Sequence, residues 1–354
     1  MEFAKIDTEY YCMTDLHSDS LYATVMDKSG KIHFRKRIEN NFDSFKNYMT
    51  PFMDDLAVGV ESTYNWYWLG DGCHDAGIPF YLGHALYMKA ITGGKKKNDR
   101  LDSKIGADLM RTNFFPLAYA YPKQMRSARD LLRRRNYFVM LRAALYSHIL
   151  TIFAQEAVLD VCTEDLKKKP TRRQLIETVS DTDLQLSLEC DLDSVDAFDP
   201  IINKLEKRII NQAKHHDHKM FALLETTPGI GDILALTFTY EIHKIDRFPS
   251  VQKFSSYSRV VRCDRSSNGK KTGGGNPNIG NPYLNWALHQ IIVRAQKHSP
   301  LIRSYFQRLV SKHGPRKARS IIAHKFAIAI YYMLKNGDAF DEVKFVQSKF
   351  RNKK

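Results

Sequence analysis

The first stretch of the chain reads as strands, then helices, and from about Lys123 the pattern turns helical. The stretch YYCMTDLHSDSLYATVMDKSGKIHFRKRIE holds three β-rich runs, with turn signals at Asp15 to Ser20 and at Lys28-Ser29-Gly30. DLAVGVEST predicts a fourth, apolar strand ending at Glu61, and IPFYLGH a fifth. Between them, NNFDSFKNYMTPF reads as a short amphipathic helix closed by Pro51, and YNWYWLGDGCHDAG as a helix ending at Gly77. NDRLDSKIGADLMRT predicts a helix with Asn98 as N-cap and Leu101, Ile105 and Leu109 on an apolar stripe. From about Lys123 to Met220 the pattern is wholly helical, and SARDLLRRRNYFVMLRAALYSHILTIFAQEAVL is one long amphipathic helix. The stretch from about Cys162 to Pro200 mixes KKKPTRR with ECDLDSVDAFD and reads as a connection between helices. Helical periodicity resumes after it, with Ile202, Leu205, Ile209 and Ile210 fitting a short coiled-coil seam.

The chain has 354 residues, 43% of them hydrophobic, enough for two domains and at least one sizeable core. No run reads as a membrane span, and MEFAKIDTEYYCMTD carries early charges without an apolar signal core. The expectation is a cytoplasmic protein with no membrane partner. Cys12, Cys73, Cys162, Cys190 and Cys263 are scattered, which points to reduced thiols and not to a disulfide frame or a zinc site. Net charge is +15, and its distribution says more than its size. Residues 201–354 carry 28 Lys+Arg against 10 Asp+Glu, whereas the first 200 carry 26 against 29. A basic segment joined to a near-neutral one suggests that the basic one holds a polyanion, nucleic acid above all.

The basic part opens with TTPGIGDILALTFTYEI. Gly229 and Gly231 break the chain between two helical runs and let backbone approach a phosphate, the logic of a helix-hairpin-helix turn. A segment of basic residues, hydroxyls and a glycine-rich loop follows, then two basic amphipathic helices. His215, His216 and His218 in HHDH read as a solvated helix face before a metal site. Tyr11, Tyr121 and Tyr257 read as core residues before base-stacking ones.

Four carboxylates stand out by their order. Asp15 ends the first strand, Glu61 the fourth, and Asp99 and Asp102 share one face of a helix. In a mixed sheet that begins with three antiparallel strands, the first and fourth lie side by side, which sets Asp15 beside Glu61. A helix packed on them brings four oxygen donors to one point, and hard cations such as Mg²⁺ relieve their repulsion. Taken alone, Asp99 is an ordinary first-turn acid. The order strand-Asp, strand-Glu, helix-Asp-x-x-Asp has the RNase H-like layout of resolvase-type nucleases.

MTDLHSD, VGVEST, KKNDRLDSKIGADL, LLRRRNYFVMLRAALYSHI, LLETTPGIGDILALTFTYEI and SSNGKKTGGGNPNIGNPYLNWAL occur in this order. Together they resemble the DEDD transposases of bridge-RNA-guided insertion sequences, a plan shared by Piv-type invertases. The resemblance runs from Tyr10 to about Gly337. It implies a RuvC-like (RNase H fold) α/β domain over 1–122, a helical coiled-coil linker and dimerisation segment over 123–220, and a mostly α transposase domain over 221–354. It also implies that Asp15, Glu61, Asp99 and Asp102 are the Mg²⁺ ligands, although Lys97-Asn98 stands where the family usually has Lys-Thr. Counting back from Gly280-Asn281-Pro282-Tyr283-Leu284 puts Ser267 at the position of the family's nucleophilic serine, with Ser266 as the alternative. Asn268 intervenes before Gly269, and Arg259-Val260-Val261-Arg262 replaces the usual Gly-Leu-x-Pro. Arg265, Lys270 and Lys271 would supply a positive field for the attacked phosphate, with Gly229, Gly231 and Asn281 as further nucleic-acid contacts.

The implied function is RNA-guided DNA recombination through a phosphoserine intermediate. The implied partners are a structured bridge RNA and target and donor DNA. The implied assembly is a homodimer or dimer of dimers, in which metal site and serine meet between protomers. The alternatives are a metal-only, junction-resolvase-like nuclease, a site-specific DNA invertase, and a non-catalytic nucleic-acid-binding protein.

Overall fold

The computed structural model describes residues 2–92, 98–158, 160–213, 218–261, 264–268, 270–274 and 279–348, and excludes the side chains of residues 92, 213, 264–267 and 271–273. Contacts divide the chain into two units, Met1–Lys123 and Gln124–Lys354.

In the first unit, β1 (Tyr10–Leu16), β2 (Ser20–Asp27) and β3 (Ile32–Glu39) form an antiparallel meander. Helix α1 (Phe42–Met49) follows, and Pro51 falls in a 3-10 segment, Thr50–Asp55. Strand β4 (Leu56–Glu61) then lies parallel to β1, α2 (Tyr67–Asp75) crosses over, and β5 (Phe80–Gly83) lies parallel to β4. The strand order is β3-β2-β1-β4-β5, so the expected adjacency of the first and fourth strands is present. Helices α3 (Ala85–Thr92) and α4 (Asp99–Arg111) complete the unit.

Side chains alternate across a strand, and the two faces of this sheet feed two separate cores. Cys12, Leu16, Val58 and Val60 pack with Phe45 and Met49 of α1 and Leu69 and Cys73 of α2. Tyr11, Met13, Met26 and Ala57 pack on the other face with Ala107, Leu109 and Met110 of α4. Asn98 caps α4 as expected, its Oδ1 accepting from the Arg100 N–H at 3.0 Å.

The buried face of α4 differs from the expected apolar stripe. Leu101 is 42% exposed, and the face against the sheet is built from Ser103, Gly106, Ala107, Leu109 and Met110. Small residues bring the helix backbone close to the strands. A Cβ on Gly106 would lie 2.4 Å from Cγ of Met13, and one on Gly59 of β4 would lie 2.4 Å from Sδ of Met110. The hydroxyls of Thr24 and Ser103 pair at 2.8 Å in the same layer.

The second unit begins with α5 (Lys123–Gln155, whose first residue closes the first unit), α6 (Lys169–Ile176) and α7 (Thr182–Ala213). The acidic stretch before Pro200 is thus not a connection but part of one helix that continues through Pro200. Ion pairs Arg135–Glu206, Arg142–Asp199 and His148–Asp191 step in opposite directions along α5 and α7, making an antiparallel helical hairpin. Buried Val195 and Ile202 flank Pro200, so packing holds the helix where one backbone bond is lost. The proposed seam residues Leu205, Ile209 and Ile210 pack within the chain against Met125, Ala128 and Leu132.

Contrary to the sequence reading, α5 contains an 18-residue window with mean hydropathy 1.4, long and apolar enough by those measures to cross a membrane. Its residues Tyr146, Ile149, Ile152 and Phe153 are built instead into a core with Leu188 and Leu192 of α7.

The chain continues through α8 (His218–Glu225), α9 (Asp232–Ile242), α10 (Val251–Tyr257), the ribbon β6 (Asp264–Ser267) and β7 (Lys270–Gly274), then α11 (Pro282–His298), α12 (Pro300–His313), α13 (Pro315–Asn336) and α14 (Glu342–Gln347). These helices share one core around Phe238, Phe254, Leu288 and Phe326.

Gly106→Val is expected to force α4 away from β1 and cost about 1–3 kcal/mol, as overpacking does. Urea unfolding of the variant against the parent protein measures it.

Candidate metal centre and serine hairpin

Alternation fixes which way the strand acids face. Tyr11 and Met13 of β1 pack on the α4 side, and Asp15 is two residues further along the same face. Ala57 and Gly59 of β4 meet the same helix layer, which puts Glu61 on that face too. Thr14 pairs with Val60, so Asp15 and Glu61 follow at the same end of neighbouring parallel strands. Helix α4 starts at that end, with Asp99 and Asp102 both in its first turn.

The described side chains bring Asp15, His17 and Asp99 together, with one ligand atom of each within 4.8 Å of the others. Glu61 and Asp102 lie at the same end of the layer but outside that group. Asp99 Oδ2 accepts from Arg37 Nη2 at 2.6 Å and lies 3.1 Å from His17 Nε2, which is 3.6 Å from Asp15. No well-directed hydrogen bond reaches that imidazole nitrogen, although it is buried. Two side-chain amides clamp the loop that carries it. Asn40 and Asn65 both donate to the His17 carbonyl, at 2.8 and 2.6 Å.

These residues fit a divalent cation. The donor set is rich in carboxylate oxygen, which hard cations prefer, and a buried nitrogen without an aligned partner points between two of the acids. Arg37 neutralises Asp99 in this arrangement, and the His17 ring lies beside it. The role of His17, Arg37, Asn40 and Asn65 escaped the sequence reading. The signal for His17 was available as Asp-x-His on a strand end.

The second group of residues expected from the sequence sits on the β6–β7 ribbon. Ser266 pairs with Lys271 and Ser267 with Lys270, which leaves two residues for the turn. Asn268 has φ +49 there, and Asn-Gly at positions 268–269 is a strong hairpin signal in sequence. The residue that breaks the family's Ser-Ser-Gly-Lys pattern is therefore the first turn residue. Lys270 is exposed, while the side chains of Arg265, Ser266, Ser267 and Lys271 lie outside the described set, as do His215 and His216 of HHDH.

The two roots of the segment that holds this ribbon are tied together. Arg259 Nε donates to the Ile279 carbonyl at 3.1 Å, the Asn281 N–H donates to the Tyr257 carbonyl at 2.6 Å, and Asn285 Nδ2 donates to the Arg259 carbonyl at 3.0 Å. Gly280 has φ +95, and a Cβ there would lie 2.6 Å from the Tyr257 oxygen. Asn281 is buried. Its Oδ1 caps α11 by accepting from Tyr283 and Leu284, and its Nδ2 donates to Glu241 Oε2 at 2.7 Å.

Glu241 of α9 is the centre of a buried polar node. It accepts from Arg129 and Arg133 of α5 as well as from Asn281. Burial pushes its carboxyl up, but the Arg133 hydrogen bond and the charges of Arg129 and Arg133 outweigh that and hold it below the usual glutamate range. Gly229 is likewise packed, with φ +89 and a Cβ position 2.5 Å from the Ala295 backbone of α11. Gly231, the N-cap of α9, has open space at its Cβ position. Tyr11 and Tyr121 are core residues.

Residues 13–156 match the DEDD transposase model of the IS110 type, and residues 221–307 match the transposase IS116/IS110/IS902 family. No curated protein matches the chain. The chain thus carries both IS110-family transposase domains in order, which supports a DNA transposase or recombinase function. The five-stranded mixed sheet followed by a mostly helical part fits an RNase H-like DEDD transposase.

Glu241→Ala removes the buried carboxylate that pairs with the partly buried Arg129 and Arg133 and is expected to cost about 3 kcal/mol. Because the folded carboxyl is held low, its stabilisation is present above the unfolded glutamate value and is lost as pH falls through the folded one. Urea unfolding at several pH values should show the deficit of Glu241→Gln shrinking in acid.

Proposed function

We propose that this chain is the transposase of an insertion sequence that cuts and rejoins DNA with a divalent cation, Mg²⁺, and a serine nucleophile. The observation that carries the reading is the convergence of Asp15, Glu61 and the first turn of α4 on one end of one sheet face. Asp15, Glu61, Asp99 and Asp102 would hold the cation, with His17 beside them. A cation bound there orients a phosphodiester, neutralises its charge and activates the attacking oxygen.

Ser267, or its neighbour Ser266, is the proposed nucleophile. Its Oγ attacks the phosphorus, the bond to one strand oxygen breaks, and that oxygen leaves as a hydroxyl after taking a proton from water or a nearby acid. The serine proton passes to solvent or to a nearby base. The new Ser–O–P bond keeps the phosphodiester energy for rejoining, which hydrolysis would discard. Arg265, Lys270 and Lys271 on the same ribbon would stabilise the charge that builds on phosphorus. The resemblance of the motifs adds a structured bridge RNA that pairs with target and donor DNA, so that base pairing and not the protein reads sequence. It also adds assembly as a homodimer or a dimer of dimers.

The test is a trap for the covalent intermediate. The protein is mixed with the noncoding RNA that flanks its gene, Mg²⁺ and labelled target and donor DNA, then quenched in detergent. A labelled protein band is expected, lost in Ser267→Ala and in Asp99→Asn. If the label persists in Ser267→Ala and is lost in Ser266→Ala, the neighbouring serine is the nucleophile. Cleaved DNA without protein-linked label supports the metal-only nuclease and overturns the serine reading.

A further inference from the structure

A groove of about 910 Å³ opens between residues 259–261 and helices α11, α12 and α13. Arg259, Arg316 and Lys317 line it, together with the imidazoles of His289, His313 and His324, and among the described residues no carboxylate does. Val260, Val261, Leu309 and Ile321 form an apolar part of its walls, with Tyr305 and Ser320 beside them. Two of the cations stand where local electrostatics disfavours them. Arg316 and Lys317 occupy the first turn of α13, which has no acidic residue and no side-chain cap. Cations at a helix N-terminus oppose the helix dipole, whereas an anion there is favoured. A local rule broken without a visible compensating contact marks a functional place. Neither side chain forms an ion pair among the described residues, and both are exposed.

We propose that this groove seats a single strand of DNA and leads it to the serine ribbon. The cations at the start of α13 and Arg259 take phosphates, and the apolar walls take sugar and base surfaces. A simple inorganic anion has no use for such walls. The volume is that of a large small-molecule pocket, ~300–1,000 Å³ by common experience, which is room for a short run of one strand. DNA is the occupant favoured here because only two residues separate Val261 from β6, the strand that carries Ser266 and Ser267. Burial keeps His324 less basic than an ordinary imidazole, and burial with the nearby Arg319 charge does the same to His289. These rings therefore act near neutral pH as hydrogen-bonding groups, and the fixed charge comes from Arg259, Arg316 and Lys317.

The inference rests on the reading of the ribbon as acting on DNA, but its test reads binding without metal and without cutting. The full chain is titrated with a labelled single-stranded DNA oligonucleotide of mixed sequence, with the same sequence as a duplex, and with its RNA counterpart, at several salt concentrations. Arg316→Ala/Lys317→Ala is expected to weaken single-stranded DNA binding about tenfold. It should also flatten the log–log salt dependence by about 1.4, as two lost phosphate contacts on a single strand would. Ser320→Glu, an added charge at an exposed position on the groove wall, should weaken the same binding without lowering the unfolding temperature. Lys204→Ala/Lys207→Ala, on an exposed basic face of α7, should leave it within about twofold. Unchanged single-strand binding in both groove variants overturns the proposal. So does an equal loss for duplex, an equal loss in the α7 control, or a larger loss for RNA. A failed adduct trap with these binding results intact would count against the serine and not against the groove.

Discussion

Like charges do not gather unless packing forces them together, and in the first unit the force comes from the close approach of α4 to the sheet. Ser103, Gly106 and Ala107 let the helix backbone settle against β1 and β2, while Gly59 makes room for Met110. That approach brings the first turn of α4 to the strand ends where Asp15 and Glu61 stand. Core packing thus supplies the energy that holds acids near one another, and a cation returns part of it. Arg37 does some of that neutralising within the protein itself.

In the second unit a different interaction does comparable work. Glu241 joins the long helix α5, the core helix α9 and the N-cap of α11 through one buried carboxylate. The cap residue, Asn281, also fixes the end of the glycine-rich segment against Tyr257. The described ends of the segment that holds the ribbon are therefore pinned to each other and to the core. Preorganising the base of a reactive loop limits the entropy lost when substrate arrives.

Much of the first unit was legible from residue patterns. Alternation in YYCMTDL and LAVGVE, the Asn98 cap and the Asp-x-x-Asp spacing gave the strands, their adjacency and the shared helix face of Asp99 and Asp102. Of the expected stripe of α4, Ile105 and Leu109 pack into the core, but Leu101 does not, because close approach selects small residues there. His17 and Arg37 were missed because their partners come from other elements. The helix α7 was cut short in the sequence reading by its acids and Pro200, since the ion pairs with α5 that use those acids are non-local. Asn281, read as a nucleic-acid contact, is held inside by Glu241, a partner 40 residues away. The Asn-Gly hairpin was readable in principle, and the glycines around it hid it.

The central claim is that the acids at the start of α4 and the end of β1 hold a divalent cation. Crystals soaked in Mn²⁺ and measured at its absorption edge test it directly. The account predicts an anomalous peak at coordination distance from the carboxylates of Asp15 and Asp99, absent in Asp99→Asn. A saturated crystal with no peak there, or a peak unaffected by Asp99→Asn, would contradict it.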